Sequence, residues 1–177
     1  MLEVRLFFAF ALILSSTSSL AKNFSAEGKE FSFDLPSTWR EAKNLYGVPL
    51  SLLAPVQPNN SRAVILVTPT PLEKIRFGKE FVQSFDKNYQ EGRLAWLKEE
   101  GGAARSFEAS KLESWPGVKE VMSSGYEYQL GVKSFIERSF YIGCEADFYH
   151  VKVLVNEGNR SQLAESIDIV RSFKCLK

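Results

Sequence analysis

The chain has 177 residues, of which 45% are hydrophobic and 24% are charged, and its formal net charge is +1. This composition is typical of one globular domain with a sizeable core, and it excludes a disordered chain. Because acidic and basic residues are interspersed and nearly balanced, the sequence lacks the strongly basic character of a nucleic-acid-binding protein, and we expect no nucleic-acid partner.

The first part of the chain has the pattern of a cleavable export signal. Arg5 precedes an apolar run over residues 6–14, and Ser19 and Ala21 supply small side chains just before a cleavage site at Lys22. The apolar run is far shorter than the roughly 20 residues that a membrane-spanning helix needs. No cysteine stands at the junction to accept a lipid. We therefore expect this segment to be removed during export.

Cleavage before Lys22 would divide the chain into a signal peptide, residues 1–21, and one periplasmic or secreted domain, residues 22–177, with no stable membrane anchor. Two cysteines remain in that domain, Cys144 and Cys175. In an oxidising compartment such a pair predicts one disulfide, which would close a loop of about 32 residues and contribute roughly 3–4 kcal/mol to the free energy of unfolding. The alternative is two buried free thiols.

The first half of the domain predicts short strands separated by turns. A polar leader over residues 22–29 precedes alternating apolar and polar residues that predict a half-buried strand over 31–35. A turn follows over 36–39, and residues 48–54 can form a second short strand. Residues 63–68 are apolar on both faces and are ended by the prolines that follow, which predicts a central strand covered on both sides.

A long helix is predicted over residues 79–100. Phe81, Phe85 and Tyr89 recur every four residues there, and Trp96 continues the stripe. An aromatic stripe at this spacing is typical of a helix that packs on a sheet. We therefore interpret it as part of a core rather than as a surface for stacking a ligand.

The second half predicts an antiparallel meander and a closing helix. The strand-like segments are residues 105–112, 118–130, 134–142 and 147–155, with a bulge near 123–125. Asn159 and Gln162 have the spacing of a capping box at the start of a helix whose inward face carries Ile167 and Val170. Together these elements predict an α+β fold: a mostly antiparallel sheet of about six strands, packed by a central helix and a C-terminal helix.

Two segments of this pattern resemble a known family. Phe31-x-Phe-x-Leu-Pro-x-x-Trp39 resembles the opening strand and turn of the PsbP/DcrB-like superfamily, and residues 167–173 resemble the ending of many members. The order of strands and helices between them is also similar. The resemblance implies that residues 22–177 form a Mog-type α/β/α sandwich of an exported bacterial member, that Trp39 belongs to its core, and that the role is binding or accessory.

Residues with catalytic or metal-binding chemistry are sparse. His150 is the single histidine, and with Glu145 and Asp147 it could in principle bind a metal. Strict strand alternation would turn Asp147 away from His150, so we interpret His150 as a half-exposed strand residue. Cys144 lies too far from His150 along an extended chain for a nucleophile–base pair. We assign no catalytic, metal-binding or cofactor-binding residue and expect no cofactor.

Three glutamates lie within predicted strands: Glu120, Glu127 and Glu137. Glu137 and Arg138 interrupt an otherwise apolar strand, and a charge covered by a helix needs a partner. We interpret this feature as a structural ion pair. The alternative is that Glu127 and Glu137 converge in a cleft as the carboxylates of a hydrolase.

These observations lead us to expect an exported, non-enzymatic binding or accessory protein of the cell envelope, with another envelope or secreted protein as its partner. One alternative is a small-ligand protein that holds a lipid or a metabolite between the sheet and the proline-rich residues 49–71. The less favoured alternative is the carboxylate-dependent hydrolase.

Overall fold

The computed structural model describes residues 19–45, 47–70 and 76–176. The strands are β1 (Ser19–Ala26), β2 (Lys29–Pro36), β3 (Arg40–Leu45), β4 (Val48–Leu53), β5 (Val64–Thr70), β6 (Gly102–Glu113), β7 (Glu120–Leu130), β8 (Lys133–Gly143), β9 (Phe148–Asn156) and β10 (Lys174–Cys175). The helices are α1 (Lys79–Glu99) and α2 (Arg160–Arg171). The apolar run of the expected signal peptide lies outside the described residues, so the signal stays a prediction.

The strands form two antiparallel sheets. The larger sheet has seven strands in the order β3-β4-β5-β9-β8-β7-β6, and the smaller has three strands in the order β1-β2-β10. Strands β7, β8 and β9 are the meander that the sequence predicts. The arrangement confirms the predicted α+β class and its antiparallel sheet, although the structure has more strands than the sequence indicated.

The main core lies between one face of the large sheet and a second layer made of the small sheet and α2. Alternate residues of β9, beginning with Tyr149, point into it. The ring of Phe31 on β2 lies 5.1 Å from the ring of Tyr149 and 5.4 Å from that of Phe173, which follows α2. Phe33 packs beside them, and Trp39 is buried in the same core, as the resemblance implies.

A disulfide joins the second layer to the large sheet. Cys144 directly follows β8, and Cys175 lies in β10, which pairs with β2 of the small sheet. Their Cα atoms are 5.9 Å apart. The structure therefore contains the cysteine pairing that the sequence predicts, and the crosslink holds the end of α2 near the β8–β9 turn.

Helix α1 lies on the opposite face of the large sheet. Its aromatic stripe meets aromatic side chains of the strands, with ring centroids 5.0 Å apart for Phe85 and Tyr141 and 5.8 Å apart for Trp96 and Tyr128. The stripe packs on the sheet as predicted. Leu97 is the one fully buried residue of α1.

The N-terminal part of the domain differs from the sequence prediction. Residues 22–29, expected to be a loose leader, lie mostly within β1, which pairs with β2 along its whole length. Phe24 and Ala26 are buried by this pairing. Two apolar side chains are too short a pattern to indicate a strand. Because β1 begins at Ser19, the expected cleavage site before Lys22 falls inside the strand.

Two other strands have too little sequence pattern to predict. β3 is an edge strand with mostly exposed side chains, and β10 has two residues. The prediction that Pro69 ends β5 is also wrong, because the strand continues through Pro69 to Thr70. Pro71, the other proline predicted to end it, lies outside the described residues. β4 pairs with β5 only as far as Val67, so Pro69 lies where the loss of a backbone N–H is tolerated.

The predicted capping box of α2 is wrong as well. The Asn159 side chain makes no capping hydrogen bond. Its Oδ1 accepts from Asn59 at 2.9 Å, and its Nδ2 donates to Ser61 at 2.8 Å. The Gln162 side chain accepts from the Ala63 N–H at 2.8 Å. Both side chains therefore fasten the loop before β5 to the start of α2, a use that local spacing cannot predict.

The predicted bulge lies on the facing strand. The register of β6 against β7 shifts between Glu108 and Lys111, opposite residues 123–125, whereas β7 pairs regularly with β8. An edge strand accommodates an extra residue more easily than an interior strand that is paired on both sides.

Replacing Cys175 with serine should lower the free energy of unfolding by about 2–4 kcal/mol, because the crosslink restricts the unfolded chain. Urea unfolding followed by circular dichroism measures the loss. The Cys144→Ser/Cys175→Ser double variant is the matched control, since it loses the same crosslink and should unfold at nearly the same urea concentration. Two titratable thiols in the native oxidised protein would contradict the pairing.

Candidate functional site

A groove opens between α2 and the outer strands of the large sheet. α2 packs against β9, β5 and β2, so the sheet extends beyond the helix on the side of β8, β7 and β6. The space beside the helix is a cavity of about 500 Å³, which we call the α2 groove. Its lining residues are Glu108, Ala109, Lys111, Glu113, Ser123, Ser124, Arg138, Phe140, Leu163, Ile167 and Arg171.

The apolar part of the α2 groove lies nearest the core. Phe140 on β8 is 3% exposed and packs against Trp115, with ring centroids 5.5 Å apart and the rings tilted by 48°. Leu163 and Ile167 of α2 pack against the same core and are partly exposed. Ile167 is one of the residues that the sequence pattern predicts on the inward face of α2. The groove thus has an apolar wall where the helix leaves the sheet.

An arginine lies flat across the sheet at the polar side of the groove. Arg138 donates to the Glu108 carboxylate at 2.6 Å and to the backbone carbonyl of Glu137 at 3.0 Å. Its side chain passes over Gly125, where an added Cβ would lie 2.7 Å from the arginine Cδ and 2.9 Å from a backbone oxygen. Only a glycine on β7 leaves room for this arrangement, which joins β8 to the edge strand β6.

Glu113 is the carboxylate of the α2 groove that accepts the most hydrogen bonds. It accepts hydrogen bonds from Ser123 at 2.5 Å and from the Trp115 indole at 3.0 Å. Partial burial disfavours its charge, but these two hydrogen bonds, with the cations Lys111 and Arg171 nearby, hold the pKa of Glu113 below its usual range. The carboxylate therefore stays ionised at neutral pH and acts as an acceptor rather than as a general acid.

Two further hollows share Glu113 with the α2 groove. One, of about 520 Å³, lies against Trp115 and Pro116. The other, of about 370 Å³, lies against Phe77 and Leu112. Glu113 lines all three, but Leu112 pairs with Met122 on the α1 side of the sheet, so the hollow against Leu112 and Phe77 lies on the other side of β6 from the α2 groove.

A second polar cluster is buried on the opposite face of the sheet, beneath α1. The side chain of Glu137 is 4% exposed, and its Oε1 lies 2.9 Å from Arg93 of α1 and 3.6 Å from Lys152 of β9. Ser139 donates to the same oxygen at 3.4 Å. The structure therefore pairs Glu137 as predicted, although its partners come from other elements and not from the adjacent Arg138.

His150 lies beside this cluster as a neutral imidazole. Its ring stacks on Tyr141 with centroids 4.6 Å apart, and its Nε2 is 3.2 Å from Ser139 Oγ. Burial, followed by the charges of Lys152 and Arg93, lowers the pKa of His150 to about 3. It is more enclosed than the half-exposed residue that the strand pattern indicated.

The hydroxyl groups of Tyr126 and Ser124 are buried without a hydrogen-bond partner among the described residues. Both belong to the α1 side of β7.

The other candidate residues do not assemble into a site. Glu127 and Glu137 lie on opposite faces of the sheet, since Glu127 pairs with Ile136 and Glu137 with the next residue of β7. Glu127 forms an ion pair with Arg160 at 3.0 Å. Among the described residues, no group of three or more His, Cys, Asp or Glu side chains is placed to hold a metal ion. The groove lies against α2 and not against residues 49–71.

Sequence reasoning missed the residues that shape the groove. Glu113, Arg138 and Arg171 belong to three different elements and come together only in the folded chain. A glycine within the otherwise regular β7 was the one local signal, because an interior strand glycine often marks a close approach. The sequence pattern predicts a bulge at this glycine, whereas in the structure Gly125 accommodates Arg138.

Comparison with solved structures shows which known proteins have a similar fold. No protein-family model and no curated protein matches the sequence. The structure is similar to cyanobacterial PsbP (CyanoP) from Synechocystis sp. PCC 6803, with a TM-score of 0.59 and 11% identity over 92% of this chain and 96% of that chain. The chain has a PsbP-like fold. It is also similar to LpqN, involved in cell envelope biogenesis of Mycobacterium tuberculosis, with a TM-score of 0.55 and 13% identity over 89% of this chain and 91% of that chain.

In the ranges that the structure describes, neither helix of this PsbP-like chain is long and apolar enough to cross a membrane.

The stability of the protein should fall as the pH drops from about 6.5 towards 3. His150 has its ordinary pKa of 6.5 when unfolded and about 3 when folded, so the unfolded chain binds more protons in this range. The loss should reach at most about 1.4 kcal/mol per pH unit. Urea unfolding at a series of pH values measures it. His150→Gln should reduce the slope between pH 4.5 and 6.5, and an unchanged slope would contradict the buried neutral imidazole.

Replacing Glu137 with glutamine should lower the free energy of unfolding by about 1–3 kcal/mol, because Arg93 and Lys152 would lose their buried carboxylate. Glu127→Gln is the matched control on the neighbouring strand. Its partner Arg160 is 54% exposed, so that loss should stay below about 1 kcal/mol. Equal losses in the two variants would show that Glu137 is not a buried structural partner.

Proposed function

We propose that this protein is an exported accessory protein of the cell envelope that acts by binding another envelope protein through the α2 groove. The main observation that supports this proposal is the groove itself. It is a cavity of about 500 Å³ with the apolar side chains Phe140, Leu163 and Ile167 on one side and charged side chains on the other. Binding surfaces commonly combine an apolar centre with a polar rim in this way.

The location of the protein outside the cytoplasm is supported by its disulfide. Cys144 and Cys175 are the only cysteines of the chain, and they are paired. Disulfides persist in oxidising compartments and are rare in the cytoplasm. The described envelope role of LpqN, which has a similar fold, points in the same direction. Periplasmic or secreted placement is therefore part of the proposal.

A binding role is supported over catalysis by the state of the groove carboxylates. Glu113 is fixed by two hydrogen bonds, and its pKa is lowered rather than raised towards neutrality. Glu108 is engaged by Arg138 at 2.6 Å. A general acid needs a pKa near the working pH, which the arrangement at Glu113 does not favour.

The size of the groove also favours a second candidate function. Cavities of about 300–1,000 Å³ are typical of small-molecule sites, so the α2 groove could hold a lipid or a metabolite. Such a ligand would lie against Phe140 and Ile167 rather than against residues 49–71.

Photo-crosslinking in the native envelope tests the proposal. A benzophenone amino acid at Ala109, an exposed residue of the groove, should yield one discrete protein adduct. The same probe at Val132, which is 96% exposed in the β7–β8 turn, is the matched control and should yield none. Adducts of equal intensity from both positions, or only lipid adducts from Ala109, would contradict a protein partner at the groove.

A further inference from the structure

We propose that the α2 groove binds one aromatic side chain of the partner protein, which stacks on the guanidinium face of Arg138. Arg138 belongs to β8 and is one of the residues that line the groove. The proposal rests on the binding function above, and it names the chemical group that enters the groove.

The guanidinium of Arg138 is held in place by hydrogen bonds at its edge. Its Nη2 donates to the Glu108 carboxylate at 2.6 Å, and its Nη1 donates to the backbone carbonyl of Glu137 at 3.0 Å. The N–H groups of a guanidinium lie in the plane of the group. These two bonds therefore fix the orientation of the plane and occupy neither of its faces.

One face of this guanidinium is covered by the sheet. Arg138 pairs with Gly125 of β7, and a Cβ added to that glycine would lie 2.9 Å from Nη1. The arginine therefore rests on the backbone of β7. Helix α2 packs on β9, β5 and β2, to one side of this position, and Arg138 lines the α2 groove. The second face therefore points into the groove.

Apolar side chains lie beside this second face. Phe140 is two residues from Arg138 on β8, so both side chains leave the same face of the strand. Leu163 and Ile167 form the wall that α2 contributes. The cavity of about 500 Å³ is within the range of about 300–1,000 Å³ that is typical of sites for small molecules, so it has room for an aromatic ring.

The charges around the groove favour a neutral occupant. Lys111 and Arg171 are the ion-pair partners of Glu113, and Arg138 is the partner of Glu108. The carboxylates and the cations are thus paired within the protein. A neutral group can enter the groove without leaving a new charge buried and unpaired, whereas a charged group would need a partner of its own.

An aromatic ring fits these surroundings better than an aliphatic side chain of similar size. The face of an aromatic ring is negative and attracts a cation placed over it, and a planar guanidinium can stack on the ring. The Arg138 side chain is only 14% exposed, and such contacts strengthen when the cation is withdrawn from water. An aliphatic side chain would make only the apolar contacts.

A matched pair of probes tests the aromatic contact without changing the protein. N-acetyl-phenylalaninamide and N-acetyl-cyclohexylalaninamide have rings of similar size, but only the first ring has π electrons. Each is titrated into the exported protein with ¹³C-labelled methyl groups, and the Leu163 and Ile167 methyl signals are followed by NMR. We expect the phenylalanine probe to shift these signals and to bind about fivefold more tightly. Equal or tighter binding of the cyclohexyl probe, or no saturable shift with either probe, would overturn the inference.

Replacing Arg138 with lysine supplies the second arm. Lysine keeps a positive charge near Glu108 but has no planar face, so the preference for the phenylalanine probe should fall from about fivefold to about twofold or less. Arg105→Lys, at an ion pair with Glu157 outside the groove, is the matched control and should leave the preference unchanged. An unchanged preference in Arg138→Lys would overturn the inference. If that variant fails to fold, the probe pair on the wild type still decides.

The two proposals fail in distinguishable ways. If the adduct at Ala109 persists at full strength in the Arg138→Lys variant, the binding function stands and the aromatic contact is wrong. If the phenylalanine probe binds but no protein adduct forms at Ala109 in the wild type, the groove holds a small aromatic molecule and the protein partner is wrong.

Discussion

Packing of the small sheet and α2 on one face of the large sheet determines where the α2 groove lies. The rings of Phe31, Phe33, Tyr149 and Phe173 form a cluster that fastens the small sheet and α2 over β4, β5 and β9. The disulfide fixes the end of the chain at the same place. Since this layer is narrower than the seven-stranded sheet, part of β6, β7 and β8 extends beyond it, and the α2 groove is the consequence.

The charged side chains on the two faces of the sheet differ in how they are buried and paired. Beneath α1, Glu137 is buried with Arg93 and Lys152, and such a centre stabilises only while every partner is present. Along the groove, Glu113 and Arg138 are held by side chains from other strands and stay at the edge of solvent. The first arrangement fixes structure, whereas the second presents charge to a partner.

Regular periodicity made part of this fold predictable. The four-residue spacing of Phe81, Phe85 and Tyr89 predicted α1, and alternation predicted the β7–β8–β9 meander. The strands β1 and β3 have weak alternation because one lies in a short hairpin and the other at an exposed edge, so their pairing is decided by tertiary contacts.

The site was less predictable than the fold for a related reason. Asn159 and Gln162 match a local capping pattern, yet their side chains bind a loop that is about 100 residues away in sequence, at separations of 100 and 99 positions. Glu113 and Arg138 likewise have their hydrogen-bond partners on other strands. A single sequence contains no periodic signal for such contacts, and the fold alone does not determine what they bind.

Hydrogen–deuterium exchange on the protein joined to its crosslinked partner tests the central claim, that the face beside α2 is the one that binds. The account predicts slower exchange in β6 and α2 than in the free protein, with no change in α1. Protection of α1, on the opposite face of the sheet, with β6 and α2 unaffected, would contradict it.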